Sequence, residues 1–176
     1  MDDYAKAILG ELQTVFAALP EDAAEQTAQR ICAHARIFVY GAGRSGLMLR
    51  AFAMRLAQMG RSVYVVGETT TPAIGAGDLL VLASASGTTH SACYYAETAQ
   101  KAGAEWFVLT ATADSPLTEM RPADVLLPAG SRDRPGGSAQ IMGSLFEQAL
   151  LIFLDAVVQR IPADRAVMRR RHANLE

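Results

Sequence analysis

Four short apolar segments restrict the fold of this chain more than any other feature. Ile37 to Tyr40, Val63 to Val66, Leu79 to Ala83 and Trp106 to Thr110 are rich in branched and aromatic residues and contain no charge. Runs of that length and composition suit strands buried on both faces of a parallel sheet. Two stretches of helical length lie between them, Ser45 to Met59 and His90 to Ala102, and each is followed by a glycine, Gly60 or Gly103, where a helix C-terminus favours one. Parallel strands alternating with helices need right-handed crossovers, so the pattern predicts an α/β fold whose sheet is covered on both faces. Val125 to Leu127 reads as a weaker fifth strand after a short turn at Ser115-Pro116. The stretch Gly67 to Gly77 is too short for an ordinary helix and predicts an irregular crossover.

The 176 residues are the length of one domain, read here as spanning 1–176 with N-terminal helices over 1–35 and a C-terminal tail over 163–176. Ile8, Leu12, Val15, Phe16 and Leu19 recur at helical spacing, and Pro20-Glu21-Asp22 suits the first turn of a second helix. Pro128 to Gly143, rich in Gly, Ser, Arg and Pro, reads as a long mobile loop with the composition of a lid. Ser144 to Ile161 is apolar on much of its circumference and predicts a helix buried against the sheet or another subunit.

A net charge of −2 provides no basic field for nucleic acid or an anionic membrane. Cys32 and Cys93 form no CxxC pair, and His34, His90 and His172 fit no metal-binding spacing, so neither a disulfide framework nor a metal is expected and a reducing cytoplasm fits best. The most apolar stretch, Ala149 to Val158, contains Asp155 and falls far short of a membrane span. The partner is therefore sought in a local site.

Two turns offer one. Gly41-Ala42-Gly43-Arg44-Ser45-Gly46 follows the first strand and formally matches GxGxxG, with Glu68 roughly where a ribose-binding acid belongs, so a dinucleotide reading stands beside a plain anion site. Ser84-Ala85-Ser86-Gly87-Thr88-Thr89 follows the third strand and puts four hydroxyls in six residues before another helix. One hydroxyl suffices for a helix cap. Four, with helix amides, can ring a phosphate without a lysine, and loops after strands one and three share a carboxyl edge.

The two loops together resemble the sugar isomerase (SIS) domain, whose SxSGxT phosphate loop is matched by Ser84, Ser86, Gly87 and Thr89. The resemblance covers nearly the whole chain. Within it, the first loop, the runs Ala51 to Leu56 and Val63 to Thr69, Phe146-Glu147, Ile152 to Ala156 and the terminal Arg171-His172-Ala173 are similar to the 6-phospho-3-hexuloisomerase family. Thr88 departs from the pattern, standing where SIS loops often carry Glu.

This resemblance implies a flavodoxin-like three-layer sandwich with a five-stranded parallel sheet flanked by helices. It implies interconversion of D-arabino-3-hexulose 6-phosphate and fructose 6-phosphate through a cis-enediol, with no cofactor, in the ribulose monophosphate pathway of formaldehyde assimilation. Glu147 is then the base, a reading that its place near the start of an apolar helix supports; the alternative is a first-turn acid serving only the helix dipole. His172 is the candidate acid–base group at the oxygens or for opening a cyclic substrate, or else an idle tail histidine. The phosphate ligands are Ser45, Ser84, Ser86, Gly87 and Thr89, with Gly43, Arg44, Thr88 and His90 as further substrate contacts. Arg55 either offsets substrate charge or pairs with a carboxylate, and His34 reads as structural. A homotetramer and functional coupling to a 3-hexulose-6-phosphate synthase are also implied, and His172 is expected to reach the pocket of a neighbouring chain. Three competitors stand: a nicotinamide oxidoreductase, a non-catalytic sugar-phosphate sensor, and an SIS isomerase acting on another sugar phosphate.

Overall fold

The computed structural model describes residues 2–130, 137–172 and 174. Five parallel strands, β1 (Arg36–Gly41), β2 (Ser62–Val65), β3 (Asp78–Ser84), β4 (Glu105–Thr110) and β5 (Val125–Leu126), form one sheet in the order β2-β1-β3-β4-β5. This is the expected α/β architecture, with β3 at the centre and all seven of its residues buried. Alternation along the strands divides the core by face. Ile37, Val39, Leu79, Val81, Phe107 and Leu109 point to one side, and Phe38, Leu80, Leu82, Trp106 and Val108 to the other.

The first side is covered by α1 (Asp3–Ala17), α2 (Ala23–Cys32), α3 (Gly43–Gln58) and α6 (Ser144–Arg160). Ala149, Leu150, Phe153 and Val157 make α6 the hub of this layer, in contact with the other three helices. The second side carries α4 (His90–Lys101) and the five-residue α5 (Pro116–Met120). The tail contains a short helix, α7 (Arg165–Arg170).

Most expected elements lie within a residue or two of their positions. The helix expected to start at Pro20 begins instead at Ala23, after a turn in which the Ala23 N–H donates to the Pro20 carbonyl. The crossover from β2 to β3 is irregular and contains no helix. A helix replaces the turn expected at Ser115-Pro116. Ser115 and Thr118 exchange hydrogen bonds as a capping box and Pro116 occupies the first helical position, signals present in the sequence. Residues 131–136, the middle of the expected lid, lie outside the described residues, as does Ala173. The part of that loop next to α6 is held, because Ser138, Ala139 and Gln140 all donate hydrogen bonds to the Glu11 carboxylate on α1.

Candidate active site

The strand order reverses direction between β1 and β3, and the loops leaving those two strands part there to open a crevice at the carboxyl edge of the sheet. A cleft of about 480 Å³ lies in it. Ala42 and Ser45 line it from the first loop, Ser84, Ala85, Ser86 and Thr89 from the second, Thr112 from the loop after β4, and Met142, Gly143 and Glu147 from the start of α6.

Close backbone approach accounts for the spacing of the first loop. A Cβ on Gly46 would collide with the Gly41 carbonyl oxygen, so the pair of glycines lets α3 start hard against the end of β1. That packing places Ser45, 8% exposed, on the cleft wall. In the second loop Gly87 has φ +64° and sits over Ser115, whose side chain fills the space a Cβ would need. The Gly87 amide donates to Ser84 Oγ at 3.2 Å.

The hydroxyls do not cap helices. Thr89 occupies the N-cap of α4 without a side-chain cap bond; its Oγ1 lies 2.9 Å from Ser84 Oγ. Ser86 Oγ lies 2.8 Å from Thr88 Oγ1. Ala42, the N-cap of α3, has no side chain able to cap. Two helices therefore present uncapped first-turn amides to one hydroxyl-lined cleft, an arrangement suited to an anion.

Glu147 stands across the cleft from these loops in the first turn of α6, its side chain 14% exposed. Its Oε2 is buried and lies 2.8 Å from Arg44 Nε, yet no donor is aligned on it as a hydrogen bond. The contact is an ion pair by distance, made by a guanidinium that is itself 57% exposed. The carboxylate is thus held beside a positive charge.

Sequence reasoning and structure converge on Ser45, Ser84, Ser86, Thr89 and Glu147 as cleft-lining, and Arg44 reaches the cleft through Glu147. Gly43, Gly87, Thr88 and His90 belong to the two loops or the first turn of α4, with Thr88 and His90 exposed. His172 is placed elsewhere. The Arg171 guanidinium packs against Gly60, just before β2, so the tail lies at the amino edge of the sheet, opposite the cleft. Glu68, the supposed ribose ligand, is ion-paired with Arg50 on α3. Arg55 donates to Gln58 and is exposed, and His34 is a buried residue bonded through Nδ1 to the Arg30 carbonyl. Sequence reading missed Thr112, although it follows a strand end on the same sheet edge. It also missed Met142 and Gly143, which enter the cleft only through the docking of α6. Among the described residues no group of three or more His, Cys, Asp or Glu could hold a metal ion, and no helix is long and apolar enough to cross a membrane.

The SIS domain family model matches residues 31–153, which include both loops and Glu147. This chain belongs to the SIS domain family. Within it, the chain is 48% identical over 155 residues to a 3-hexulose-6-phosphate isomerase of Mycobacterium gastri, covering 85% of this chain and 78% of the relative. It is 39% identical to the enzyme of that name from Bacillus subtilis, covering 99% and 98% of the two chains. A crystal structure from Methanococcus jannaschii, from which a 3-hexulose-6-phosphate isomerase function was inferred, superposes with TM-score 0.80 at 31% identity, covering 99% of this chain and all of that one.

Proposed function

We propose that this chain interconverts D-arabino-3-hexulose 6-phosphate and fructose 6-phosphate by proton transfer through a cis-enediol. The observation that carries the reading is Glu147 Oε2, a buried carboxylate oxygen without an aligned donor, facing a hydroxyl-lined anion cradle across one cleft. The names of three relatives, two of them matched over essentially their whole length, support it. Ser45, Ser84, Ser86 and Thr89, with the first-turn amides of α3 and α4, hold the phosphate, Gly87 shapes the loop that carries three of these hydroxyls, and Gly43, Thr88 and His90 frame its approach. The sugar then reaches Glu147. Its carboxylate takes the C2 proton, the C–H electrons form the C2–C3 double bond, and the C3 carbonyl oxygen gains a proton. Loss of the O2 proton then forms the C2 carbonyl as Glu147 returns its proton to C3. Arg44 pairs with Glu147 in the resting site and offsets charge on the enediol oxygens.

His172 is the proposed acid–base group at those oxygens, supplied by a neighbouring subunit. Within one chain it lies at the far end of the sheet, beyond the 17 residues of α6, roughly 25 Å of helix. Leu47 and Met54, exposed at 57% and 44% and spaced to share one face of α3, favour self-association, here read as a homotetramer. The two free cysteines fit a reducing cytoplasm, and the substrate is the product of a hexulose-phosphate synthase acting on formaldehyde and ribulose 5-phosphate. The test supplies that condensation product and measures fructose 6-phosphate. Turnover dependent on this protein is expected; none, alongside turnover of another sugar phosphate, would move the chain to a different SIS isomerase.

A further inference from the structure

A carboxylate on α1 is tied to the segment that leads into the catalytic helix. Glu11 Oε1 accepts from the Ala139 amide at 2.7 Å, and Oε2 accepts from Ser138 Oγ and Gln140 Nε2, each at 2.8 Å. Ser138 Oγ also accepts from the Gln140 amide at 3.0 Å, so one acid gathers three successive residues into a turn. These bonds span 127 to 129 positions of sequence and do not arise from local turn chemistry. Leu12 and Val15, buried against the α6 layer, fix the helix that carries the acid.

The held segment runs directly into the site. After Gln140 come Ile141, whose carbonyl accepts from the Ser144 amide, and Met142, a non-glycine residue at φ +54°. Gly143 is the N-cap of α6 and its carbonyl accepts from the Glu147 amide. Met142 and Gly143 both line the cleft, and Met142 is 77% exposed, so its left-handed backbone is not fixed by side-chain burial. We propose that Glu11 is a positioning residue: by clamping 138–140 it fixes Met142, Gly143 and the first turn of α6, and so sets the Glu147 carboxylate against the substrate. Burial pushes the Glu11 carboxyl upward, but its bonds to Gln140, Ala139 and Ser138 outweigh that and hold it below the ordinary carboxylate range, so the clamp is anionic near neutral pH. The kinetic consequence rests on the isomerase reading; the clamp itself does not.

Hydrogen exchange and kinetics on the full chain test both parts. In Glu11→Ala, amide exchange across 138–143 is expected to rise at least about tenfold while the β3 amides keep their protection. In the same variant kcat is expected to fall roughly 10- to 100-fold, because small misplacements of a reacting group cost that much. KM should stay within about twofold, since the residues that Glu11 bonds, Ser138, Ala139 and Gln140, are not part of the phosphate loops. Glu11→Gln, which keeps an acceptor oxygen in place, should recover part of kcat. If Glu11→Ala fails to fold, Ser138→Ala removes one donor without touching the core face of α1 and carries the same test. Unchanged exchange, or faster exchange with wild-type kcat, overturns the proposal. A wild-type protein without isomerase activity would instead overturn the isomerase reading, and exchange would still decide the clamp.

Discussion

Glu147 and Arg44 meet at the cleft, and the carboxylate can serve as the proposed base only if the cation yields. Arg44 is more than half exposed and can move towards an incoming phosphate or enediol oxygen while the buried Oε2 stays. Glu147→Gln preserves shape and removes the proton acceptor, so kcat should drop by about 10² to 10⁴ with sugar-phosphate binding retained. Rate assays beside calorimetric titration with fructose 6-phosphate check this, and activity within a few-fold of wild type would reject Glu147 as the base. Ser86→Ala and Thr89→Ala act on the other wall. If phosphate is held alike in ground and transition states, each raises KM more than it lowers kcat, and an unchanged KM in the double variant would remove the cradle. These residues were legible in the sequence because hydroxyls crowded after a strand are chemically unusual. Met142, Gly143 and Glu11 were not, because they reach the site through contacts made across most of the chain.

Each helix that begins at the cleft does so on terms set by its neighbours. Gly46 allows α3 to start against β1, so Gly46→Ala pushes a Cβ into the Gly41 carbonyl and must shift either the helix or the strand. Overpacking of this kind costs about 1–3 kcal/mol, and the displacement carries Ser45 away from the cradle. Urea unfolding together with KM checks both effects, and a variant normal in both would show that the loop tolerates the methyl group. Strand positions were readable from short uncharged apolar runs, and the long helices from their terminal glycines. The five-residue α5 lacked a periodic apolar stripe long enough to register, although its capping box was written in Ser115, Pro116 and Thr118. Ser115→Ala should cost about 1 kcal/mol as a lost cap, seen as a lowered unfolding midpoint.

At the scale of the whole molecule, the sheet order puts both loops at one crevice while α6 carries the chain away from it, leaving Glu147 and His172 at opposite ends. The sequence placed both residues and the helix between them, but not the direction in which that helix leaves the cleft, which only its docking on the sheet settles. Mixing Glu147→Gln chains with His172→Ala chains and allowing exchange should therefore regenerate sites with both wild-type groups. Verified mixed oligomers with activity no higher than the mean of the parents would show that each chain completes its own site. The docking of α1 on α6 also bears on how the protein is made. At about 5–20 residues per second, α1 is made roughly 7 to 30 seconds before its partner α6 is complete. For that interval Leu12 and Val15 have no core to enter, and contacts separated by most of the chain form last and slowly. The nascent protein thus carries an uncovered apolar helix through nearly its whole synthesis, which makes it a natural client for chaperones that bind emerging chains.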